Sequence, residues 1–310
     1  MKIAVVGAGA IGGWIAARLA LAGHDPAVVV RPGRALSTLI LSEGGERRSV
    51  AIRSSANAGT FGPQDVVVFA VKAFALAEAA AAAAPLIGPG TRIVAMVNGV
   101  PWWFADPPLA SVDPDGRIAA ALPGDQVLGC VVHAAVRREG EADIVVQHVD
   151  RLIIGEPEGG QSERVAAIAE VFAQSGIRAE AVADIRRATW YKAWGNMTMN
   201  PLSALTGATA DRIIAECRPL ILDCMEEARA IGAAIDCPIT ESGEERIAVT
   251  ARLGAFKTSM LQDLEAGRRI ELEALLGAPL ELAERHGVPA PNLANLYAAT
   301  RLLAETRGQI

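Results

Sequence analysis

A turn of three glycines close to the start of the chain restricts the fold more than any other feature of the sequence. Residues 7–12 read Gly-Ala-Gly-Ala-Ile-Gly, between the apolar run Ile3–Val6 and a helical pattern over Ile11–Ala22. The first glycine permits a tight turn, the second lets the backbone approach a phosphate, and the third allows close packing of helix on strand. The alternative is a structural turn without a ligand. We expect a dinucleotide pyrophosphate at the helix N-terminus, held by Gly7, Ala8, Gly9, Ala10, Ile11 and Gly12.

Short apolar runs alternate with helical patterns through the first half of the chain. Continuous apolar strands that alternate with helices indicate a parallel sheet covered on both faces. The predicted strands are Ile3–Val6, Ala27–Val30, Asp65–Val71, Arg92–Val97, Val127–Val136, Ile144–His148 and Arg151–Ile154. The predicted helices are Ile11–Ala22, residues 73–84 and Gln161–Gly176. The proline-rich segment Pro101–Gly124 is expected to be a loop past a strand end, where ligands bind in such sheets.

The second half of the chain is almost entirely helical in its pattern. Apolar residues recur at helical spacing, and glycines and prolines separate the segments. The predicted helices are Thr189–Asn200, Asp211–Gly232, Ser242–Ala266, Ile270–His286 and Pro291–Thr306. The fold class is therefore α/β, with an N-terminal Rossmann-type doubly wound parallel sheet over residues 1–182 and a C-terminal all-helical domain over residues 183–310.

Composition and charge exclude several classes of function. A net charge of −6 gives no electrostatic basis for binding nucleic acid or an anionic membrane. No apolar stretch is long enough for a membrane span, and the first residues lead directly into a strand with no signal-peptide pattern. Four scattered cysteines without a C-x-x-C pair fit a reducing cytoplasm. The four histidines show no ligand spacing, so no metal site is expected.

Three polar residues follow the ends of predicted strands. Arg31 occupies the strand tip where an NAD-binding protein usually carries an acid, and a guanidinium there favours the 2′-phosphate of NADP(H). Lys72 is a candidate cofactor contact, with a simple strand-end lysine as the alternative. Asn98 can both donate and accept hydrogen bonds, as a nicotinamide ribose or a substrate oxygen requires. The alternatives are a solvated surface arginine at 31 and a plain turn asparagine at 98, since Asn-Gly is a frequent turn pair.

A polar stripe marks one predicted helix of the second half. Lys192, Asn196 and Asn200 are spaced four residues apart, so they line one helix face among tryptophans, methionines and alanines. Pro201 disfavours helix at the residue before it, and this predicts that the stripe ends at a helix terminus. Polar groups on an apolar helix are costly unless they face water, partners or a ligand. Spacing alone leaves open a partly solvated stripe.

Together these residues resemble the ketopantoate reductase (2-dehydropantoate 2-reductase) family, from Met1 to about Gly287. The most specific matches are the lysine–asparagine–asparagine-proline string and a Ser-Met-Leu-Gln-Asp segment at 259–263. The remaining matches are the glycine turn, Arg31, Val71-Lys72, Asn98-Gly99, His133-Ala134-Ala135 and Ile270-Glu271. The resemblance implies NADPH-dependent reduction of a 2-keto acid, 2-dehydropantoate to D-pantoate, in pantothenate and coenzyme A biosynthesis.

The resemblance also implies roles for individual residues. Lys192 is then the general acid and Glu271 the residue at the junction of cofactor and substrate. Ala135 offers its backbone to NADP. The substrate-binding residues are Asn98, Asn196, Asn200 and Ser259, of which Asn98 also touches the cofactor.

Two departures from the family pattern bear on the substrate. Ala210 stands where biosynthetic members carry a substrate-contacting asparagine, and the segment after Asn98, with Trp102 and Trp103, is longer than usual. One of these tryptophans is expected to cover the substrate, with local packing under the loop as the alternative. A related NADP-dependent reductase of another 2-keto acid or imine remains an alternative function, as does a non-catalytic NADP-binding sensor. A small-molecule 2-keto acid is the expected partner, and a homodimer and a monomer both remain open.

Overall fold

The structure, a computed structural model, describes all 310 residues and divides into two compact units. The sheet unit comprises Met1–Val97 and Gly116–Arg186. The helical unit comprises Asn98–Asp115 and Arg187–Ile310. The segment Asn98–Asp115 therefore joins the helical unit, although it lies within the first half of the chain. The functional division at residue 182 stays a prediction.

The sheet unit contains a ten-stranded sheet in the order β4-β3-β9-β8-β7-β6-β1-β2-β5, with β10 paired to β9. Strands β8, β7, β6, β1, β2 and β5 run parallel, which is the doubly wound Rossmann order and confirms the predicted fold class. The strands are β1 Ile3–Val6, β2 Ala27–Val29, β3 Thr38–Glu43, β4 Glu46–Ala51, β5 Arg53–Ser55, β6 Val66–Phe69, β7 Arg92–Ala95, β8 Val127–Glu139, β9 Asp143–Gly155 and β10 Ala179–Ala181.

The sheet is parallel in its centre and antiparallel at two hairpins. The hairpin β3–β4 was not among the predicted strands, because β4 carries mostly exposed polar residues at the sheet edge. The segments Ile144–His148 and Arg151–Ile154 were predicted as two strands but form the single strand β9, which pairs antiparallel with β8. Register shifts in that pairing show that β-bulges absorb the irregular pattern that suggested a break.

The buried core of the sheet unit consists mainly of aliphatic side chains from its central strands and from α1. Val5, Val28, Val68 and Val94 are almost completely buried, as expected for strands covered on both faces. Its helices are α1 Ala10–Leu21, α2 Leu76–Ala83, α3 Arg117–Ala121 and α4 Glu163–Gln174.

The helical unit contains longer helices around a second core. These are α5 Ile185–Thr206 from Arg187 onward, α6 Ala210–Glu216, α7 Arg218–Ala234, α8 Gly243–Ala251, α9 Ser259–Glu265, α10 Ala278–Arg285 and α11 Pro291–Thr306. A π-helical turn, Glu273–Gly277, precedes α10. The segments Asp211–Gly232 and Ser242–Ala266 were each predicted as one helix, but each forms two, since sequence periodicity does not resolve short breaks.

The prediction that a helix ends at Asn200 is wrong. Helix α5 continues through Pro201 to Thr206. Pro201 removes one backbone donor, but the residues on both sides of it are buried in the helical core, and this packing outweighs the local preference. Asn200 therefore lies inside a helix, where its orientation is set by the whole length of α5.

Three further expectations concern features of the whole chain. All four cysteines are free. No helix is both long enough and apolar enough to cross a membrane. No group of three or more His, Cys, Asp or Glu side chains is placed to hold a metal ion.

Candidate active-site residues

The glycine turn of the sheet unit lies at the carboxyl end of β1, where the strand order reverses between β1 and β6. Gly7 has φ = 99°, and a Cβ there would lie 2.7 Å from Cγ1 of Val71. A Cβ on Gly12 would overlap the carbonyl oxygen of Gly7. A Cβ on Gly9 would meet no atom within 4 Å, and no side chain caps the first turn of α1. Open space in front of uncapped N–H groups fits a bound phosphate.

Two arginines contact the glycine turn, and neither forms an ion pair with a carboxylate, although Glu141 attracts Arg34 at longer range. Arg34 donates from Nη1 to the Ala8 carbonyl oxygen at 3.2 Å, and Arg138 donates to the same oxygen at 3.4 Å. Arg34 also donates to the backbone carbonyl of Glu141. Burial, and next the positive charge of Arg138, lower the pKa of the Arg34 guanidinium. Like charges held together at a phosphate-type turn fit an anionic ligand.

The structure places the other predicted cofactor residues of the sheet unit at strand ends. Arg31 is exposed just past β2, and its charge contributes to the lowered pKa of Arg34. Lys72 is half-buried and precedes the short 3-10 turn Ala73–Ala75. Ala135 is exposed on β8 between two register shifts. Arg138 was not singled out by sequence analysis, because it lies 130 residues from Ala8 and only the fold brings the two together.

The orientation of α5 within the helical unit is determined by two buried tryptophans. Trp190 donates from Nε1 to the Ala228 carbonyl at 3.2 Å, and Trp194 donates to the Met225 carbonyl at 2.9 Å. Both are fully buried against α7. At 100° per residue their face is opposite to that of Lys192, so their burial turns the polar stripe away from α7.

Asn98 and Asn196 meet within the helical unit. Nδ2 of Asn196 donates to Oδ1 of Asn98 at 3.1 Å. With the amides assigned in this way, the Nδ2 of Asn98 and the Oδ1 of Asn196 remain available to a ligand. Lys192 is half-buried one turn before Asn196 on the same helix. This contact places a strand-end residue of the first half beside the polar stripe of the second half.

The backbone after Asn98 is held by the turn that follows Glu271. Val100 donates from its backbone nitrogen to the Ala274 carbonyl at 2.8 Å. Gly99 has φ = 84°, and a Cβ there would overlap that carbonyl group. Glycine is therefore required at position 99 for both conformation and space.

Substitution of Gly99 by alanine is expected to destabilise the helical unit and to disturb the contact between Asn98 and Asn196. Gly116→Ala is the matched control, since Gly116 has φ = 65° but open space around its Cβ position. The control should show only the conformational cost of about 1–2 kcal/mol, and Gly99→Ala should exceed it. Urea unfolding of both variants measures the difference. Equal losses would contradict the steric argument.

The remaining predicted residues of the helical unit differ in burial. Asn200 is 5% exposed, and its side chain makes no hydrogen bond within the protein, so its amide is open to a ligand. Ser259 is exposed as the first residue of α9, after the buried cap Thr258. Glu271 is buried, at 7% exposure, two residues before the π-helical turn. Short π-helical segments occur frequently at functional sites.

The two departures from the family pattern have clear structural positions. Ala210 is fully buried as the first residue of α6, so its side chain belongs to the core. Trp102 and Trp103 form a 3-10 turn with Phe104. Trp102 is 4% exposed, whereas Trp103 is half-buried and its enclosed Nε1 has no hydrogen-bond partner.

The sheet unit thus has the order and the glycine turn of a dinucleotide-binding fold, and the helical unit has a polar helix beside Asn98. Two family models match the chain: "Ketopantoate reductase PanE/ApbA" over residues 3–159 and "Ketopantoate reductase PanE/ApbA C terminal" over residues 184–304. The chain belongs to the ketopantoate reductase family, whose members are NAD(P)H-dependent oxidoreductases.

Individual relatives agree with the family assignment over the full length. A 2-dehydropantoate 2-reductase from Mesorhizobium japonicum is 41% identical, with 99% of each chain covered. A Ralstonia solanacearum structure, assigned as a ketopantoate reductase, is 48% identical with a TM-score of 0.96 and covers 100% of this chain and 99% of its own. The 2-dehydropantoate 2-reductase from Methylococcus capsulatus is 29% identical with a TM-score of 0.87, at 100% and 99% coverage.

Proposed function

We propose that this chain reduces 2-dehydropantoate to D-pantoate with NADPH, a step of pantothenate and coenzyme A biosynthesis. The observation that carries the proposal is the contact between Asn98 and Asn196, one helical turn from Lys192. It joins two hydrogen-bonding amides and a cationic proton donor within one unit, as an anionic ketone substrate requires. A non-catalytic NADP-binding sensor would not require a proton donor beside two substrate-binding amides. The free cysteines favour a reducing compartment, and we propose the cytoplasm.

The residues of the helical unit divide the proposed chemistry between them. When bound, the nicotinamide supplies the hydride that reduces the ketone carbon. Lys192 donates a proton to the ketone oxygen as negative charge develops there. Asn196, Asn200 and Ser259 hold the oxygen atoms of the substrate, which contributes orientation rather than proton transfer. Glu271 and Asn98 are proposed to orient cofactor and substrate together.

The proposed cofactor is NADP(H), supported by the arginines around the glycine turn. Arg31, Arg34 and Arg138 supply three guanidinium groups that form no ion pair with a carboxylate, and guanidinium groups bind phosphate with paired, charge-assisted hydrogen bonds. The residues that would hold the pyrophosphate are Gly7, Ala8, Gly9, Ala10, Ile11 and Gly12. Lys72 and Ala135 are proposed as further contacts of the cofactor.

The test is the rate of NADPH oxidation with 2-dehydropantoate, measured against a panel of other 2-keto acids and an imine. The proposal expects the highest kcat/KM with 2-dehydropantoate. A higher kcat/KM for another member of the panel would assign the chain to the alternative reductase, which the apolar Ala210 leaves as the second candidate. No turnover of any of them would contradict an enzymatic role.

The Trp102–Trp103 pair predicts a spectroscopic response to substrate. Trp103 is the half-buried member, so binding of the keto acid is expected to quench its fluorescence, and Trp103→Phe should lose this quenching. Trp102→Phe is the matched control, because Trp102 is buried in the structure and should keep the quenching. Identical quenching and identical substrate kinetics in both variants would show that neither tryptophan covers the substrate.

A further inference from the structure

A half-buried arginine of the helical unit lies directly on the helix that carries Lys192. The guanidinium of Arg246, on α8, is so close to Gly195 of α5 that a Cβ there would lie 2.5 Å from Nη2. Its Cζ lies 5.6 Å from the centre of the Tyr191 ring. The guanidinium therefore covers one flank of α5, and a Cβ at position 195 would force it to move.

The hydrogen bonds of Arg246 are largely unmade. A guanidinium has five N–H donors, but this one makes a single long hydrogen bond, from Nη1 to Oγ1 of Thr250 at 3.4 Å. Its Nε is enclosed without a partner. No carboxylate forms an ion pair with it, and Glu241 provides only a longer-range attraction. Arg246 as a whole is half-buried. Its Nη2 makes no hydrogen bond and, unlike Nε, is not fully enclosed, so it can reach a ligand.

This arrangement is unfavourable for the stability of the protein alone. Burial lowers the pKa of Arg246, and the attraction of Tyr191 and Glu241 offsets this cost of removing a cation from water only in part. Gly195, inside a long helix, costs about 1 kcal/mol relative to alanine. A partly buried cation whose donors are mostly unpaired would gain from an anion, and arginine binds carboxylates through two parallel hydrogen bonds.

The position on α5 suggests which anion this is. Gly195 follows Lys192 by three residues, and residues three apart on a helix are neighbours at about 5–6 Å between Cβ positions. In a 2-keto acid the carboxylate is attached to the ketone carbon itself. The group that binds the carboxylate must therefore lie close to the group that protonates the ketone oxygen.

We propose that Arg246 binds the carboxylate of the 2-keto acid substrate and so selects for acids over neutral ketones. This inference rests on the proposed function, with Lys192 as the proton donor. Asn196, Asn200 and Ser259 are then left to bind the ketone and hydroxyl oxygens of the substrate. Gly195 and Tyr191 then serve to position the guanidinium beside α5.

The experiment compares the 2-keto acid with its neutral methyl ester, which lacks the charge that Arg246 would bind and carries one additional methyl group. In Arg246→Gln the ratio of kcat/KM for acid over ester is expected to fall by about 10–150-fold, the usual contribution of a charge-assisted hydrogen bond. The loss should appear in KM for the acid, while KM for NADPH stays unchanged. Arg252→Gln is the matched control, because Arg252 is exposed at the end of α8. The ratio of kcat/KM for acid over ester should be unchanged in this variant.

Arg246→Lys provides a second variant that keeps a positive charge and an aliphatic stem. It should show a smaller fall in the ratio of kcat/KM for acid over ester than Arg246→Gln. If the glutamine variant does not fold, the lysine variant tests whether Arg246 binds the carboxylate. Equal losses for acid and ester would show a purely structural role and overturn the inference while the proposed function stands. If the unmodified protein reduces no 2-keto acid at all, the proposed function fails as well.

Discussion

Replacement of Lys192 by alanine is expected to lower kcat by about 10²–10⁴-fold, the usual contribution of a general acid. Alanine keeps the helix, since it has the highest helix propensity, and the orientation of α5 depends on Trp190 and Trp194 on the opposite face. The affinity for NADPH should change little. Stopped-flow measurement of NADPH oxidation, with a separate fluorescence titration of NADPH, distinguishes the chemical step from binding.

Lys257→Ala is the matched control for this experiment. Lys257 also belongs to the helical unit, but it is exposed and paired with Glu265 at 2.6 Å. An exposed ion pair contributes little, so kcat and the free energy of unfolding should remain near those of the unmodified protein. If Lys192→Ala raised only KM and left kcat intact, Lys192 would be a binding residue and another group would donate the proton.

The double variant Arg31→Ala/Arg34→Ala is expected to lose most of the preference for NADPH over NADH. One charge-assisted hydrogen bond to a phosphate contributes about 10–150-fold in affinity, and two arginines can share the 2′-phosphate. NADH has no 2′-phosphate, so its affinity should fall less. Some loss is expected for NADH too, because Arg34 also supports the Ala8 carbonyl of the glycine turn. Titration of both nucleotides against each variant measures the change.

If the double variant still prefers NADPH over NADH, Arg138 is the expected source of the remaining preference. Arg138 donates to the same Ala8 oxygen as Arg34, so adding Arg138→Ala to the double variant should remove the remaining preference for NADPH. Arg137→Ala is the control. Arg137 is adjacent to Arg138 on β8, but it forms an ion pair with Glu139 at 2.8 Å and is not expected to bind the phosphate. A triple variant that still favours NADPH by tenfold would show that the phosphate is bound elsewhere, with Lys72 as the next candidate.

Local sequence patterns were sufficient to predict the structure of a segment where one physical requirement determines which residues it can contain. The run Ile3–Val6 and the glycines after it predict β1, the turn and α1, because a buried strand, a tight turn and a close helix contact allow few other residues. The helix face of Lys192 and Asn196 also follows from spacing alone. The continuation of α5 through Pro201 does not, because it depends on packing that a local preference cannot report.

The sequence by itself determined the fold class, the dinucleotide-binding turn and the spacing of the polar stripe, since each is encoded within about 20 neighbouring residues. Only the tertiary structure decided which distant groups meet. Asn98 lies 98 residues from Asn196, Arg138 lies 130 from Ala8, and Arg246 contacts Gly195 through the packing of two helices. A periodic pattern records only which face of an element is buried, whereas these contacts depend on how separate elements pack against each other.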